Sequence, residues 1–227
     1  MDDALRLQAR TARAELRSGT LFGAALRERL MSVPATERDA WTDELLGVAE
    51  EPPDIPDLPA GAVPYLPAGV DEILTMVQEV PLRPDDQLVD LGSGLGRVVI
   101  LAHLLSGARA CGVEIQEPLV HCARVCSTEL ALSGVRFVHA NAADAELDGS
   151  VFFFYSPFSG PTLTRVVRRL EDLARRRPIV LCAVGLEFPA ERWLRRRETA
   201  SLALTLYDSC MPGVPRRAPS PSSAPDS

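Results

Sequence analysis

From Asp71 onward the chain alternates short apolar runs with stretches of helical periodicity, and this alternation limits its fold more than any other feature. QLVDL, ACGVEI, VRFVHA, VFFFYS and IVLCAV read as strands, while DEILTMVQEV, GRVVILAHLLSG, PLVHCARVCSTELALSG and TLTRVVRRLEDLARR read as helices. Strands separated by helical segments of about 10–15 residues indicate βαβ units, and hence a mainly parallel α/β sheet with helices on both faces. Beyond them, Leu202, Leu204 and Leu206 alternate within RRRETASLALTLYDS, which predicts a hairpin at the sheet edge.

The flanks differ. Residues 1–50 carry apolar positions at helical spacing, Leu5, Ala9, Ala12 and Leu16 and then Leu21, Ala24, Leu26 and Leu30, with a third helix expected over ATERDAWTDELLGV. Arg6, Arg10, Arg13 and Arg17 share one helical face, which reads as a solvated surface. Residues 51–70 are proline-rich, and proline resists both helix and central strand, so they are expected to form an extended strap. The organisation expected is a helical accessory segment or lid (1–50), the strap (51–70), one α/β domain (71–210) and a disordered proline- and serine-rich tail (211–227).

A formal net charge of -7 disfavours nucleic acid as a partner, because the chain as a whole repels a phosphate backbone. No run approaches the roughly 18–20 apolar residues of a membrane-spanning helix, and the N-terminus opens on two acids without an apolar signal core, so a cytoplasmic protein is expected. Five cysteines without a CxxC fit buried reduced thiols, and no metal site is expected from them or from His121, Cys122 and Cys126 on one helix.

The first strand runs into a glycine turn, VDLGSGLGRVVI. In an open α/β sheet the first such turn shapes the ligand crevice beyond the strand ends. Gly92, Gly94 and Gly96 give GxGxG, whereas a dinucleotide fingerprint needs GxGxxG and a phosphate loop needs a following lysine. Asp90, just before the turn, repels a pyrophosphate and attracts a cation. Glu114, ending the next strand, is placed to accept ribose hydroxyls. Past the third strand, Asn141 offers an amide and Ala142 a backbone N–H beside an adenine. A nucleoside with a cationic, non-phosphate extension satisfies all of these, and S-adenosylmethionine is such a molecule.

DLGSGLG, then GVE, then FVHANA resemble motif I, the acidic second-strand end and the adenine-side loop of the class I S-adenosylmethionine-dependent methyltransferases, over roughly residues 63 to 185. With Tyr65 in VPYLPAG upstream, the wording is similar to the non-SET histone lysine methyltransferases and to small bacterial relatives. The resemblance implies a Rossmann-like, seven-stranded sheet and methyl transfer from S-adenosylmethionine to a small-molecule or protein acceptor. It implies Asp90 toward the methionine amino end, Gly92, Ser93 and Gly94 around it, Glu114 with Ile115 at the ribose, and Tyr65 closing over cofactor or acceptor.

Two departures bear on this. Asn141 stands where the adenine-side loop usually has an acid, so that contact is a weaker hydrogen bond or passes to Asp144. Ser156-Pro157-Phe158 stands where the histone enzymes carry Asn-Asn-Phe, so the acceptor does not carry over. Tyr155 and Ser156 either face the transferring methyl or pack and cap the turn. His139 as a base, Asp144 and Asp148 as holders of an acceptor cation, and the arginines from Arg168 to Arg177 are weaker candidates, the last better read as an exposed helix face. The first reading is an enzyme whose helices and strap form a lid; the alternatives are a non-catalytic S-adenosylmethionine-binding module and an NAD-linked oxidoreductase, which would need the absent GxGxxG.

Overall fold

The computed structural model describes residues 1–48, 51–189, 191–199, 201–214 and 217, so most of the expected tail lies outside the described residues. Seven strands, β1 (Gln87–Leu91), β2 (Arg109–Glu114), β3 (Val135–His139), β4 (Val151–Tyr155), β5 (Val180–Val184), β6 (Leu194–Arg197) and β7 (Leu204–Ser209), form one sheet. Its order is β3-β2-β1-β4-β5-β7-β6. The strands β1 to β5 run parallel, and β7 is antiparallel to both β5 and β6, as the edge hairpin required. Leu204 and Leu206 are buried in β7, whereas Leu202 is exposed ahead of it. Strand order reverses between β1 and β4, which opens a crevice at their carboxyl ends.

Why the strands read as unbroken apolar runs is visible along β4. Val151 and Phe153 enter one core and Phe152 and Phe154 the other, and β5 repeats this with Val180, Cys182 and Val184 against Leu181 and Ala183. A strand buried on both faces has no solvent side to alternate toward. The two faces are covered unequally. Helix α7 (Gly160–Ala174) packs on one through Val166, Leu170 and Leu173, while α4 (Val70–Glu79), α5 (Arg97–Ser106) and α6 (Glu117–Glu129) contribute to the other.

The N-terminal helices α1 (Asp3–Arg17), α2 (Gly23–Ser32) and α3 (Arg38–Leu46) join that second face. Ala9, Ala12, Leu26, Leu30, Trp41 and Leu45 belong to the same core as Ile73 of α4 and Leu101 of α5. Buried Arg38 holds the end of α2 by donating to the carbonyls of Leu30 (2.9 Å) and Val33 (3.0 Å). Asp39 accepts the Val70 N–H at 2.8 Å, capping α4 from a neighbouring helix. The arginine face of α1 is correspondingly not a plain solvated surface: Arg10 pairs with Glu44 of α3 at 2.6 Å and Arg13 pairs with Glu129 of α6.

Two helix boundaries differ from the periodicity. The α6 helix stops at Glu129 rather than near Gly134, because Ala131 takes a left-handed conformation (φ 55°) and the Leu132 N–H turns back to the Ser127 carbonyl. The α7 helix starts earlier, at Gly160, with Pro161 in its first turn, where a missing N–H costs nothing.

Candidate functional site

The crevice between β1 and β4 is floored by the glycine turn. Gly92 (φ 91°) donates its N–H to the Val113 carbonyl at 2.8 Å, and a Cβ there would lie 2.3 Å from the Pro157 ring. Gly94 (φ 50°) would carry a Cβ 2.0 Å from the ring of Tyr65. Both positions therefore need glycine twice over, for conformation and for close approach.

Glu114 closes the turn from beside it. One carboxylate oxygen accepts the Gly94 N–H at 2.9 Å, and the other accepts the N–H groups of Ile115 (2.7 Å) and Gln116 (2.9 Å). A carboxylate offers about four acceptor positions, so room for one ligand hydroxyl remains. Asp90 is 2% exposed and pairs in register with Gly112 and Phe153. Burial, and then the neighbouring Glu114 charge, push its carboxyl well above the usual range. Ser93 is buried in the turn with its hydroxyl lacking a hydrogen-bond partner.

Above this floor lies a cavity of about 250 Å³. It is lined by Tyr65, Gly92, Glu114, Ile115, Asn141, Ala142, Tyr155 and Ser156 from the sequence-nominated set, with Gln116, Phe158, Thr162, Val184 and Gly185 in addition. Asp90, Ser93 and Gly94 sit in or beneath the turn and do not line it. The roof is the proline strap, through Pro59, Ala60, Ala62, Val63, Pro64 and Leu66. Helices α1 to α3 contribute no lining residue, which corrects the expectation that they form part of a lid. Backbone bonds fasten the roof to the segment after β4. The Val63 N–H meets the Pro157 carbonyl at 3.2 Å, the Ser159 N–H meets the Gly61 carbonyl at 2.9 Å, and Ala62 and Phe158 form an antiparallel bridge. Burial pushes the Tyr65 phenol up, so it stays a neutral group.

Among the described residues Glu114 is the one charged side chain lining the cavity. The walls thus suit no phosphate. A buried acid without a cationic neighbour, an orphaned serine hydroxyl and a glycine backbone fit a ligand that carries positive charge and hydrogen-bonding groups. S-adenosylmethionine meets that description.

At the β4 end, Ser156 adopts φ 43° and donates its hydroxyl to the Val184 carbonyl at 3.2 Å, so this hydroxyl has a structural partner. Asn141 turns its side-chain carbonyl to the Ala143 N–H at 2.9 Å, which folds the loop after β3. Asp144 lies in an ion pair with Arg165, and Asp148 in one with Arg177, whose hydrogen bond holds the Asp148 carboxyl low. Neither acid lines the cavity, so neither is placed to hold an acceptor cation. His139 lies 3.0 Å from the Ile115 carbonyl and also stays outside. Arg169 departs from the exposed-face reading: it donates to the carbonyls of Ala143 (2.8 Å) and Ala145 (2.5 Å) and so clamps the loop after β3 onto α7.

Sequence reasoning missed Gln116, Asp54 and Arg97. Gln116 follows a strand end and opens a helix, a place where side chains reach across elements, and that was its one signal. Arg97 stands inside the glycine motif, where it donates to the Ala68 carbonyl at 2.9 Å and to Asp43 at 2.6 Å.

Residues 67–143 match the family model described as histone methylation protein DOT1. A Cryptococcus neoformans protein named histone-lysine N-methyltransferase, H3 lysine-79 specific, is 42% identical over 50 residues, 22% of this chain and 8% of that protein. The chain thus spans about 8% of the length of the curated relatives it matches. Among solved structures, the Escherichia coli protein yhhF, described as a methyltransferase, has a TM-score of 0.50 at 19% identity, covering 66% of this chain and 91% of its own. A Salinibacter ruber RNA methyltransferase in complex with S-adenosyl-L-homocysteine has a TM-score of 0.49 at 26% identity, covering 69% and 98%. The glycine turn and Glu114 both lie inside the residues that match the DOT1 model, and the reversed parallel sheet is a fold shared with yhhF.

Proposed function

We propose that this protein is an S-adenosylmethionine-dependent methyltransferase acting on a small-molecule or protein acceptor. The observation that carries the reading is the floor of the crevice: buried Asp90, orphaned Ser93 and the Gly92–Gly94 backbone, beside a cavity whose one charged wall residue among those described is Glu114. The DOT1 match over residues 67–143 supports the same assignment. That match ends before Tyr155, so the histone lysine of the relative's name is one protein acceptor consistent with the site rather than one carried over with the motif.

When bound, the cofactor supplies a methyl carbon made electrophilic by its sulfonium. The residues of the chain would do the rest. Asp90 offers a carboxylate that ionises beside a cation. Gly92, Ser93 and Gly94 present backbone and hydroxyl to the methionine end, Glu114 gives its remaining acceptor position to a ribose hydroxyl, and Asn141 and Ala142 border the adenine. Tyr65 and the strap exclude water. Tyr155, at the end of β4, borders the acceptor side with Thr162 and Phe158. In-line displacement gains much of its acceleration from alignment, which a largely apolar cavity with few fixed polar groups would supply.

Calorimetric titration with S-adenosyl-L-homocysteine tests the reading. Saturable binding by the parent, and loss of that binding in Gly94→Ala with the circular dichroism spectrum retained, are expected. No heat together with an unchanged melting temperature would overturn it. Transfer of labelled methyl to an extract fraction separates an enzyme from a non-catalytic binding module.

A further inference from the structure

Gln116 occupies the N-cap position of α6, yet its side chain makes no capping bond to that helix. Serine, threonine, aspartate or asparagine there would satisfy an exposed helix N–H. Gln116 is instead 2% exposed and reaches away, into the strap. Its Oε1 accepts the Ile55 N–H at 2.9 Å, and its Nε2 donates to Asp54 Oδ1 at 2.6 Å. The same Asp54 oxygen accepts the Tyr65 N–H at 3.0 Å. One amide therefore holds both ends of the roof segment, directly at residue 55 and through Asp54 at residue 65. The Tyr65 ring in turn lies over Gly94, close enough to exclude a Cβ there.

The backbone of Gln116 is fixed just as firmly. Its N–H rests on Glu114 Oε1 at 2.9 Å, while the other Glu114 oxygen holds Gly94. A single chain of bonds thus runs from the glycine turn through Glu114 and Gln116 to Asp54 and back to Tyr65 above the turn.

We infer that Gln116 is a positioning residue, whose side-chain amide latches the strap over the cavity and thereby sets how tightly the cofactor is retained. The inference rests on the cofactor reading given above, but the latch itself has a readout independent of any ligand. It joins the cap of α6 to the strap, and nothing else among the described side chains bonds the amides of Ile55 and Tyr65. A cofactor that fills the cavity donates one hydroxyl to the remaining acceptor position of Glu114. The residue two positions on then holds the roof closed on it.

Hydrogen exchange of the unliganded protein tests the latch first. Gln116→Leu, close in size but without hydrogen-bonding groups, is expected to speed exchange of the Ile55 and Tyr65 amides about tenfold. Asp54→Ala, an exposed position whose loss does not threaten the fold, is expected to release the Tyr65 amide, whereas Asp54→Asn keeps the acceptor oxygen and stays within about threefold of the parent. Unchanged exchange in Gln116→Leu and Asp54→Ala overturns the latch. Titration with S-adenosyl-L-homocysteine tests the consequence: dissociation about tenfold faster in Gln116→Leu is expected, and parent-like dissociation despite released amides overturns the positioning role. A parent that binds no S-adenosyl-L-homocysteine, with the exchange results as expected, would remove the cofactor reading and the positioning role while leaving the latch.

Discussion

On the proposed cofactor reading, Asp90 is the residue where function and stability oppose each other. A carboxylate 2% exposed, with no cation beside it and Glu114 nearby, is disfavoured in its charged form. Its folded-state pKa lies above the unfolded value near 3.8, so the folded protein binds the proton more tightly. The stabilisation is complete at pH below about 3.8 and is lost as pH rises toward the raised folded value. Asp90→Asn, neutral at every pH, is therefore expected to gain stability over the parent progressively as pH rises from 4 to 8, read as urea midpoints. The same variant is expected to bind S-adenosyl-L-homocysteine more weakly, since its ammonium loses a charged partner. A variant less stable than the parent at pH 8 would contradict the assignment of Asp90 as an unpaired buried acid.

Among elements, legibility followed locality. The strands stood out because burial on both faces makes each a compact apolar run, whereas their order in the sheet came from the structure. GxGxG and Asp90 were legible because one turn holds them. What sequence did not show are bonds between distant segments: Gln116 to Asp54, Arg169 to the loop after β3, and Arg97 to Asp43 and Ala68. Nothing local in VDLGSGLGRVVI reveals that Arg97 turns inward. It stands 8% exposed at the start of α5, joining that helix to α3 and to the far end of the strap. Burial pushes the Asp43 carboxyl up in spite of this guanidinium, so Asp43 depends on it. Arg97→Met is expected to cost about 1.5–3 kcal/mol in urea denaturation. The double variant with Asp43→Asn is expected to cost less than the two single changes added, because the stranded carboxylate is gone. Strict additivity would mean that the two side chains are not coupled.

Considered as a whole molecule, the chain has its crevice roofed by one segment and its sheet backed by another. The strap lies over the cavity, while α1 to α3 lie behind it, sharing a core with α4, α5 and the sheet. A lid that rides on a finished domain would unfold early and alone. A layer that completes the core cannot, since removing it exposes Ile73, Leu101 and their neighbours to water. Trp41 of α3 separates the two cases, being fully buried in that shared core. Trp41→Ala is expected to destabilise the protein by about 3–5 kcal/mol. Unfolding should remain one transition, with far-ultraviolet circular dichroism and tryptophan fluorescence moving together in the parent, and with the fluorescence of Trp193, on the opposite face, doing the same in the variant. An early loss of helix signal while Trp193 stays native would show the N-terminal helices to be a separate unit. A single shifted transition ties them to the same cooperative structure that holds the glycine turn in place.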